Sequence, residues 1–387
     1  MVSIHIYPST FVNETRILKV VRSLVKNSIF DKVIVIALWK DGLPKRESLG
    51  NGVEVWRIRP LIGHTLEGFT GRIVKVLGWH ISVLLALHGQ KVNCFNCHSL
   101  PVLPLSTVIK FWKRCTLVYE PHELETETVS SRGLTRFLLQ RVEQALIRYA
   151  DAVCVVNRSI AHWYERTYNL RNVSVVQNVP YRSENGVSRT GLLRNAVGLD
   201  SNEAQIFLYQ GLLAPGRGIE ILLEVFSTMP PHKHLVLMGY GELEERIRNA
   251  ASQNSNIHFL PAVSPELVKN YTADADVGLA LIEDVCLSYR LCLPNKLFEY
   301  ASCGVAIVAS DFPEMGKFIE EFECGWKVAP TATALRSLLQ TISAEDIIAK
   351  RARAASSNQF YGWDKEEKSL LAMYTQLGFA TSSHVHA

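Results

Sequence analysis

The sequence predicts two doubly wound α/β domains in tandem. At roughly 100–200 residues per domain, a chain of 387 residues is long enough for two. Hydrophobic residues make up 48% of the chain and charged residues 20%, which supplies apolar material for two cores and excludes a disordered chain. Short β-branched apolar runs alternate with amphipathic segments, and this alternation is typical of β–α units around a parallel sheet covered on both faces.

The expected elements follow in chain order. Strands are expected at 2–7, 33–38, 53–58, 92–95, 116–119, 152–156 and 173–176, and after a break at 206–209, 235–238, 257–260, 277–281 and 305–309. Helices are expected at 14–25, 134–149, 219–227, 243–251 and 293–302. The segment 181–202 is rich in Ser, Asn, Gly and Arg without a clean period, so it is interpreted as a linker or edge insertion. The predicted domains are therefore 1–184 and 200–360.

Charge divides unevenly between the two halves. Residues 1–180 hold 23 Lys and Arg against 13 Asp and Glu, a net charge of +10, and the remainder carries −6. The basic half suits an anionic partner such as lipid, nucleic acid or acidic glycan, unless the charge is divided by chance. The longest apolar stretch is interrupted by Lys75 and His80, and the start of the chain does not resemble a secretory signal. The expected location is the cytoplasm or the cytoplasmic side of a membrane.

The eight cysteines are widely spaced and are expected to be small buried hydrophobes. Cys94, Cys97 and His98 form a C-x-x-C-H pattern, for which haem attachment and zinc binding are the alternatives to a buried strand. The pattern ends an apolar run in a chain without an export signal. The strand interpretation is therefore favoured, with His98 at the strand end facing a cleft.

The stretch LPNKLFEYASCG carries the clearest chemical signal. Pro294 is expected at a helix start, with the amides of Asn295, Lys296 and Leu297 directed at an anion such as a diphosphate. Glu299 lies about one turn further along, where a carboxylate can accept hydrogen bonds from ribose hydroxyls. The alternative is an ordinary helix with an exposed glutamate.

Several other segments share their order and spacing with one enzyme family. They are YQG at 209–211, PGRGIE at 215–220, MGYG at 238–241, the strand entry at 271–279, YEPHE at 119–123, ADAV at 150–153, QNVP at 177–180 and a last helix at 363–377. Together with 293–314 they resemble the retaining GT-B glycosyltransferases of glycosyltransferase family 4, the glycosyl transferases group 1. The resemblance covers nearly the whole chain.

This resemblance implies the GT-B fold, in which two Rossmann-like domains face each other across a cleft and a final helix, here 361–380, returns to the first domain. It implies transfer of a sugar, with retention of configuration, from a nucleoside-diphosphate sugar to a glycan or lipid-linked glycan. No metal or other cofactor and no nucleic acid partner is expected. The runner-up functions are another GT-B activity, an epimerase or a phosphorylase, and a degenerate module that binds nucleotide sugar without catalysis.

The resemblance and the residue chemistry together give the candidate site. His122, Arg217 and Lys296 are the expected catalytic residues, since Arg and Lys can stabilise a leaving diphosphate and His can hydrogen-bond a sugar or phosphate oxygen. The expected donor-binding residues are Pro294, Asn295, Leu297, Glu299, Gly211, Gly239 and Gly241. The candidates for sugar or acceptor contacts are Ser288, Tyr289, Asn13, Arg16, His98 and Glu123.

The sequence departs from the family pattern at three places. Leu291 replaces a sugar-binding Glu and Leu212 replaces an Arg of the phosphate turn, while the loop after the first strand lacks the usual Gly-Gly. These departures leave the identity of the donor sugar open. The Asp274-Ala275-Asp276 triplet is interpreted as a strand entry and not as a metal site.

Two stretches, 66–80 and 108–114, interleave basic residues with aromatic and aliphatic ones. Such mixtures suit an anionic membrane surface, where rings lie at headgroup depth and cations meet lipid phosphate. The alternative is that both stretches are helices packed on the sheet with solvated cations. Peripheral membrane binding is therefore a hypothesis, with Lys110, Lys113 and Arg114 as its test residues.

Overall fold

The computed structural model of the chain describes residues 1–12, 14–62, 68–182, 187–199 and 204–379. The chain forms two compact units. The first consists of residues 1–177 together with the chain from 366 onward, and the second consists of residues 178–365. No helix within the described ranges is both long enough and apolar enough to span a bilayer.

The first unit is built on an eight-stranded sheet in the order β3-β4-β2-β1-β5-β6-β7-β8. The strands are β1 Val2–Ile6, β2 Lys32–Leu38, β3 Arg46–Ser48, β4 Val53–Ile58, β5 Cys94–Cys97, β6 Thr116–Tyr119, β7 Ala152–Val155 and β8 Ser174–Val175. The helices between them are α1 Thr15–Lys26, α2 Gly68–Ala86, α3 Leu103–Lys113, α4 Gly133–Leu146 and α5 Arg158–Tyr168. All neighbouring strands pair in parallel except β3, which is antiparallel to β4.

Strands β1, β5 and β6 lie side by side near the middle of this sheet. Their residues are almost all buried, because helices cover both faces of a parallel sheet. Parallel strands end at the same edge, so the residues that follow β5 and β6 are brought together there. Cys94 and Cys97 are buried, unpaired thiols in β5, which agrees with the strand interpretation of the C-x-x-C-H pattern.

The last helix, α15 Trp363–Gln376, returns the chain to the first unit. The hydroxyl of Tyr374 donates to Asn96 Oδ1 at 2.6 Å, and the ring of Tyr374 packs edge-on against Phe30. Glu366 accepts a hydrogen bond from the backbone amide of Gln177 at 2.7 Å. The end of the chain is therefore an integral part of the first unit.

The second unit has a six-stranded parallel sheet in the order β11-β10-β9-β12-β13-β14. Its strands are β9 Gln205–Leu212, β10 Lys233–Tyr240, β11 Ile257–Pro261, β12 Val277–Ala280, β13 Ala306–Ser310 and β14 Gly325–Val328. Its helices are α6 Leu192–Ala196, α7 Ile219–Phe226, α8 Glu244–Gln253, α9 Pro265–Ala273, α10 Leu287–Arg290, α11 Asn295–Ser302, α12 Pro313–Phe322, α13 Ala332–Thr341 and α14 Ala344–Ser357.

Two hydrophobic clusters cover the two faces of this sheet. Along β9, Ile206 and Leu208 point into one cluster, whereas Phe207 and Tyr209 point into the other. This is the period of two that a strand imposes on its side chains. Helix α11 packs in the first cluster and α7 in the second, so the sheet is buried on both faces, as the apolar strand sequences predict.

The segment after residue 180 is not a free linker in its described part. Asp274 accepts hydrogen bonds from the amides of Thr190, Gly191 and Leu193, and Leu193 is fully buried in the core of the second unit. Buried backbone amides need such partners. The interpretation of 181–202 as a linker is therefore wrong for residues 187–199, which belong to the second unit.

The predicted strands are present, with ends that differ by at most three residues. Two strands that the hydrophobic pattern did not predict are β3, which is a polar edge strand, and β14, whose sequence GWKV is short and contains an exposed lysine.

Gly278 in β12 has no room for a side chain. A Cβ atom built on it would lie 2.3 Å from the ring of Tyr300. We expect Gly278→Ala to lower the free energy of unfolding by about 1–3 kcal/mol through overpacking, measured by chemical denaturation. Gly89→Ala is the matched control, since a Cβ there meets nothing within 4 Å. Equal stability of the two variants would contradict this account of the core.

Candidate active site

Tyr300 fastens helix α11 to the sheet of the second unit. Its fully buried hydroxyl lies 3.1 Å from the carbonyl oxygen of Leu208 and 3.3 Å from that of Leu279, and it accepts from the amide of Gln210 at 3.1 Å. These contacts link α11 to β9 and β12. The helix start is thereby held beside the carboxyl end of β9, where ligands bind in doubly wound folds.

Glu299 precedes Tyr300 and is held by a second polar contact. Its Oε2 accepts from Gln210 Nε2 at 2.6 Å, and Gln210 Oε1 in turn accepts from the hydroxyl of Thr272 at 2.6 Å. A carboxylate has about four lone pairs. One contact with Gln210 therefore orients the carboxylate and leaves it able to accept hydrogen bonds from ligand hydroxyls.

The start of α11 differs in detail from the sequence prediction. Pro294 is the N-cap and not the first helical residue, because its backbone is extended. The amide of Leu297 donates to the carbonyl oxygen of Pro294 at 3.1 Å and its side chain is buried, so both groups have partners within the fold. Its contact with the donor stays a prediction. The amides of Asn295 and Lys296 lie in the first turn of the helix, where no carbonyl oxygen of a preceding turn is present to accept their hydrogen bonds.

Arg217 belongs to the turn between β9 and α7. The turn is held by Glu283, whose Oε1 accepts from the amide of Gly218 at 3.1 Å. The guanidinium of Arg217 lies over the ring of Tyr289, 4.5 Å from its centroid. Arg217 Nε is buried and makes no hydrogen bond to the described residues. A buried donor without a partner is uncommon in folded proteins, which marks this turn as a candidate ligand site.

Lys296 lies close enough to Arg217 for the two charges to interact. Its amine is 3.5 Å from the centroid of the Tyr209 ring. Burial first, and then the charge of Arg217, lowers the pKa of Lys296 to about 7, against the opposing effect of Glu299. Among the described side chains, neither cation forms an ion pair. The arrangement leaves excess positive charge beside a helix start and is suited to an anion with several oxygens.

The three glycines predicted to bind the donor, Gly211, Gly239 and Gly241, have different surroundings. A Cβ on Gly239 would lie 1.8 Å from the carbonyl oxygen of Gly211, and one on Gly241 would lie 2.3 Å from that of Leu213. Close packing of β9 and β10 is therefore sufficient to explain both residues, without the ligand approach that was predicted. Gly211 has a φ of +118° and nothing within 4 Å of its Cβ position, so it faces open space.

The other residues of the second unit that the sequence singled out either lie close to Arg217 or have structural roles. Tyr289 supports Arg217, whereas Ser288 is buried in α10. Leu212 is exposed at the end of β9. Asp276 pairs with Arg189 and Arg194 and accepts from the amide of Ile206. The Asp274-Ala275-Asp276 triplet thus serves the fold, as predicted from its position at a strand entry.

The first unit brings together polar residues at the ends of β5 and β6. His122 Nε2 lies 3.2 Å from His98 Nδ1, and His98 Nε2 lies 2.8 Å from His5 Nδ1. Glu120 is fully buried, and its Oε2 lies 3.7 Å from His98 Nδ1. Burial lowers the pKa of all three imidazoles, and the nearby Arg16 charge contributes at His98 and His122. The histidines are therefore neutral at physiological pH.

Two predicted contact residues of this unit have structural roles. Arg16 is buried, donating to Glu120 Oε1 at 2.9 Å and to the carbonyl oxygen of Val176 at 2.9 Å. His98 is fully buried between His5 and His122. Both residues therefore have partners within the fold, and their contact with sugar or acceptor stays a prediction. Glu123 is exposed beside His122, and Asn13 lies outside the described residues.

Several site residues were missed from the sequence. Glu120 pairs with an arginine 104 residues away, and Gln210 orients Glu299 from a distance of 89 residues. Glu125 accepts from the hydroxyl of Ser99 and the amide of Leu100, and burial raises its pKa to about 8. One usable signal was present, because His5 interrupts an otherwise apolar strand. A polar residue in a fully buried strand requires a partner.

The cluster of His98, Glu120 and His122 also has the composition of a cation site. One ligand atom from each lies within 4.8 Å of the other two. Imidazole and carboxylate are ligands that zinc accepts. Among the described residues, it is the one cluster of three or more possible metal ligands that lie this close together.

Comparison with known proteins finds relatives of this chain. Residues 204–343, within the second unit, match the family described as glycosyl transferases group 1. Among curated proteins, the chitobiosyldiphosphodolichol beta-mannosyltransferase of Kluyveromyces lactis is 18% identical over 310 residues, which cover 72% of this chain and 68% of the relative.

Solved structures share the fold over nearly the full length. The sucrose-phosphate synthase of Thermosynechococcus elongatus has a TM-score of 0.80 at 16% identity, covering 98% of this chain and 99% of that one. HepE of Anabaena, solved with UDP-glucose, has a TM-score of 0.70 at 14% identity, covering 97% and 100%. WaaG, a glycosyltransferase involved in lipopolysaccharide biosynthesis, has a TM-score of 0.68 at 14% identity, covering 97% and 100%.

The fold is GT-B, with two Rossmann-like parallel-sheet domains, as predicted. Residues 204–343 of the second unit match the glycosyl transferases group 1 family, and the resemblance found in the sequence is confirmed at that level.

The charge state of Lys296 gives a direct test of the site. We expect its amine to titrate near pH 7, whereas an ordinary exposed lysine titrates near about 10.4. Competitive labelling with trace acetic anhydride, followed by peptide mass spectrometry across pH 5–11, measures this midpoint. Arg217→Met should raise it, because a nearby like charge disfavours the protonated amine. A wild-type midpoint near 10, or none of the expected rise in Arg217→Met, would contradict the site geometry.

Proposed function

We propose that the protein transfers a sugar from a nucleoside-diphosphate sugar to an acceptor hydroxyl with retention of anomeric configuration. The observation that carries this proposal is the placement of Arg217 and Lys296 without ion-pair partners, among the described residues, beside the start of α11. Glu299, one turn further along α11, is oriented to receive ribose hydroxyls. A diphosphate and a ribose are the two parts that every nucleoside-diphosphate sugar shares.

In the proposed reaction the bond between the sugar and the diphosphate breaks, and negative charge grows on the departing β-phosphate. Arg217 and Lys296 stabilise that charge together with the amides at the start of α11. The acceptor oxygen forms the new bond on the same face of the sugar that the diphosphate leaves. The acceptor proton then passes to a phosphate oxygen, so no carboxylate nucleophile is needed.

The proposed mechanism uses the chain's own cations in place of a metal at the diphosphate. The carboxylates of the second unit that match a metal-binding triplet are engaged elsewhere. Asp274 accepts from three backbone amides, and Asp276 pairs with Arg189 and Arg194. Using them for a metal would break these contacts, and the buried amide of Leu193 would lose its partner at a cost of about 1–3 kcal/mol.

The proposed donor class is supported by HepE, a structural neighbour solved with UDP, with glucose and with UDP-glucose. The proposed acceptor is a glycan or a lipid-linked glycan. The curated mannosyltransferase relative is named for a dolichol-linked acceptor, and WaaG is involved in lipopolysaccharide biosynthesis. His122 is proposed to hydrogen-bond the transferred sugar.

The experiment is a turnover assay with UDP-, GDP- and ADP-sugars and with glycan and lipid-linked acceptors. We expect one donor to be consumed, and only when an acceptor is present. Proton NMR should show that the product has the same anomeric configuration as the donor. Arg217→Ala should lower kcat by about 10- to 150-fold, since a hydrogen bond to a charged group contributes about 1.5–3 kcal/mol.

Arg353→Ala is the control for this assay, because Arg353 is an exposed arginine on α14. It should keep the wild-type kcat. An inverted product would contradict the proposed retention. Consumption of donor without acceptor would favour an epimerase or hydrolase, and absence of turnover with every donor would favour a binding module.

Membrane binding was a hypothesis for the stretches 66–80 and 108–114. Residues 66 and 67 lie outside the described residues, and in the second stretch the structure argues against Lys110 and Lys113 as lipid contacts. Lys110 Nζ bonds the carbonyl oxygen of Tyr149 and the carboxylate of Asp151. Lys113 Nζ bonds the carbonyl oxygens of His88 and Gln90. Both amines would have to give up these contacts to meet lipid phosphate.

Helix α4 offers a better surface, and we propose that it lies on an anionic membrane. Leu134, Phe137 and Leu138 are 72%, 50% and 53% exposed and lie on one side of the helix. The exposed Arg132 and Arg141 flank them. An apolar stripe bordered by arginines is suited to the headgroup boundary, where each basic residue contributes about 1 kcal/mol.

Liposome co-sedimentation tests this surface. The wild type should bind vesicles that contain anionic lipid, and added salt should weaken the binding. Phe137→Glu combined with Leu138→Glu should abolish binding, whereas Lys110→Ala combined with Lys113→Ala should retain most of it. Loss of binding only in the lysine variant would show that the membrane contacts α3 and not α4. Failure of the wild type to bind would refute the proposed membrane surface.

A further inference from the structure

Three histidines form a continuous hydrogen-bonded chain across the middle of the first unit. His5 lies in β1, and His98 and His122 follow β5 and β6, the next two strands of the sheet. The link from His5 Nδ1 to His98 Nε2 is 2.8 Å, and the link from His98 Nδ1 to His122 Nε2 is 3.2 Å. His5 and His98 are fully buried, so these contacts replace water for three of their four ring nitrogens.

The inner end of this chain is bonded to Asn96, whose amide has a defined orientation. Its Oδ1 accepts from the hydroxyl of Tyr374 at 2.6 Å. Its Nδ2 lies 3.3 Å from the carbonyl oxygen of Ile4, which can only accept, and 2.9 Å from the hydroxyl of Ser3. The same Nδ2 faces His5 Nε2 at 3.2 Å. The amide nitrogen has two hydrogens for these three neighbours and no lone pair to offer. A proton on His5 Nε2 would therefore face no acceptor there, so Nε2 is the unprotonated nitrogen of His5.

The positions of the protons then follow from one end to the other. A neutral imidazole has one donor and one acceptor nitrogen. With Nε2 accepting, His5 carries its proton on Nδ1 and donates to His98 Nε2. His98 must therefore carry its proton on Nδ1 and donate to His122 Nε2. His122 is left with its proton on Nδ1, the nitrogen that is not in the chain.

Two alternatives to this assignment are less favourable: a hydrogen bond from His98 to Glu120, and a cation bound between the histidines. Glu120 Oε2 is 3.7 Å from His98 Nδ1, beyond hydrogen-bond distance, whereas His122 Nε2 is 0.5 Å nearer. A cation would need the lone pairs of both His98 Nδ1 and His122 Nε2, but the first of these nitrogens carries the proton that Asn96 assigns to it. The nearby guanidinium of Arg16 also opposes a cation.

We infer that Tyr374 and Asn96, acting through His5 and His98, hold His122 as its Nδ1–H tautomer. These four are positioning residues. They make His122 a hydrogen-bond donor toward a ligand and not a base. This consequence rests on the proposed function, in which His122 meets the transferred sugar, whereas the tautomer itself does not. The neutral state of the chain agrees with the pKa of His98, which burial lowers to about 3.

The tautomers can be measured without substrate. In two-dimensional NMR spectra of the full-length, ¹⁵N-histidine-labelled protein, protonated and unprotonated ring nitrogens resonate far apart. We expect His5, His98 and His122 all in the Nδ1–H form, although free histidine in water favours Nε2–H. The Nε2–H form at His122 in the wild type would overturn the inference. So would equimolar Zn²⁺ if it shifted the His98 Nδ1 and His122 Nε2 signals together.

Asn96→Asp reverses the polarity at the inner end. A carboxylate only accepts, so His5 Nε2 becomes a donor and all three tautomers should switch to Nε2–H. Asn93→Asp is the matched control. Asn93 Oδ1 already accepts from the amide of Val2 at 2.8 Å, a role that Asp retains, so the tautomers should not change. An unaltered His122 tautomer in folded Asn96→Asp would overturn the inference.

A second pair of variants keeps the test decisive if Asn96→Asp does not fold. In His98→Gln the amide can accept from His5 and donate to His122, so the Nδ1–H form of His122 should persist. In His98→Leu the chain is broken and His122 should return to the mixture of tautomers seen in water. If both variants give the same His122 spectrum, the chain does not set the tautomer.

Kinetics then connect the tautomer to the transfer reaction. His98→Leu should lower kcat by up to about tenfold, the value of one hydrogen bond, with little change in donor KM, and His98→Gln should restore most of kcat. An unchanged kcat in His98→Leu would overturn the donor role of His122. Because the NMR result does not depend on turnover, failure of the proposed function would leave the tautomer assignment intact.

Discussion

The buried hydroxyl of Tyr300 is the contact on which the candidate donor site depends. It links helix α11 to β9 and β12 through the carbonyl oxygens of Leu208 and Leu279 and the amide of Gln210. The ring occupies space that only a glycine at 278 leaves free. Because α11 is held at this point, its first turn and Glu299 have defined positions beside the end of β9. Catalysis by leaving-group stabilisation requires such preorganised donors, since groups that must move into place lose much of their effect.

The two units use polar residues in different ways. In the second unit, Arg217 and Lys296 have no carboxylate partner among the described residues, and this arrangement is suited to an anion. In the first unit, Arg16 and Glu120 neutralise each other, and the histidines beside them are kept neutral by burial. A neutral hydrogen-bonding surface is suited to sugar hydroxyls, and a positive one to a diphosphate.

Much of the fold could be predicted from the sequence, because buried parallel strands are long apolar runs and their helices are amphipathic. The strands that escaped prediction were the polar β3 and the short β14, where the pattern is weak. Lys296, Arg217 and Glu299 could be proposed as site residues because local chemistry near a helix start suggests them. The buried partners of Arg16 and His98 could not be predicted, since no local pattern indicates that they are Glu120 and His5, from strands distant in the chain. Burial of a polar side chain is a tertiary property, and a single sequence contains it only indirectly.

The central claim is that the second unit binds the diphosphate and ribose of a nucleotide sugar at α11. A crystal structure of the protein with a bound nucleoside diphosphate tests it most directly. The account predicts diphosphate oxygens within hydrogen-bond distance of Arg217, Lys296 and the first amides of α11, with the ribose hydroxyls on Glu299. A nucleotide bound elsewhere, or one whose ribose makes no contact with Glu299, would contradict it.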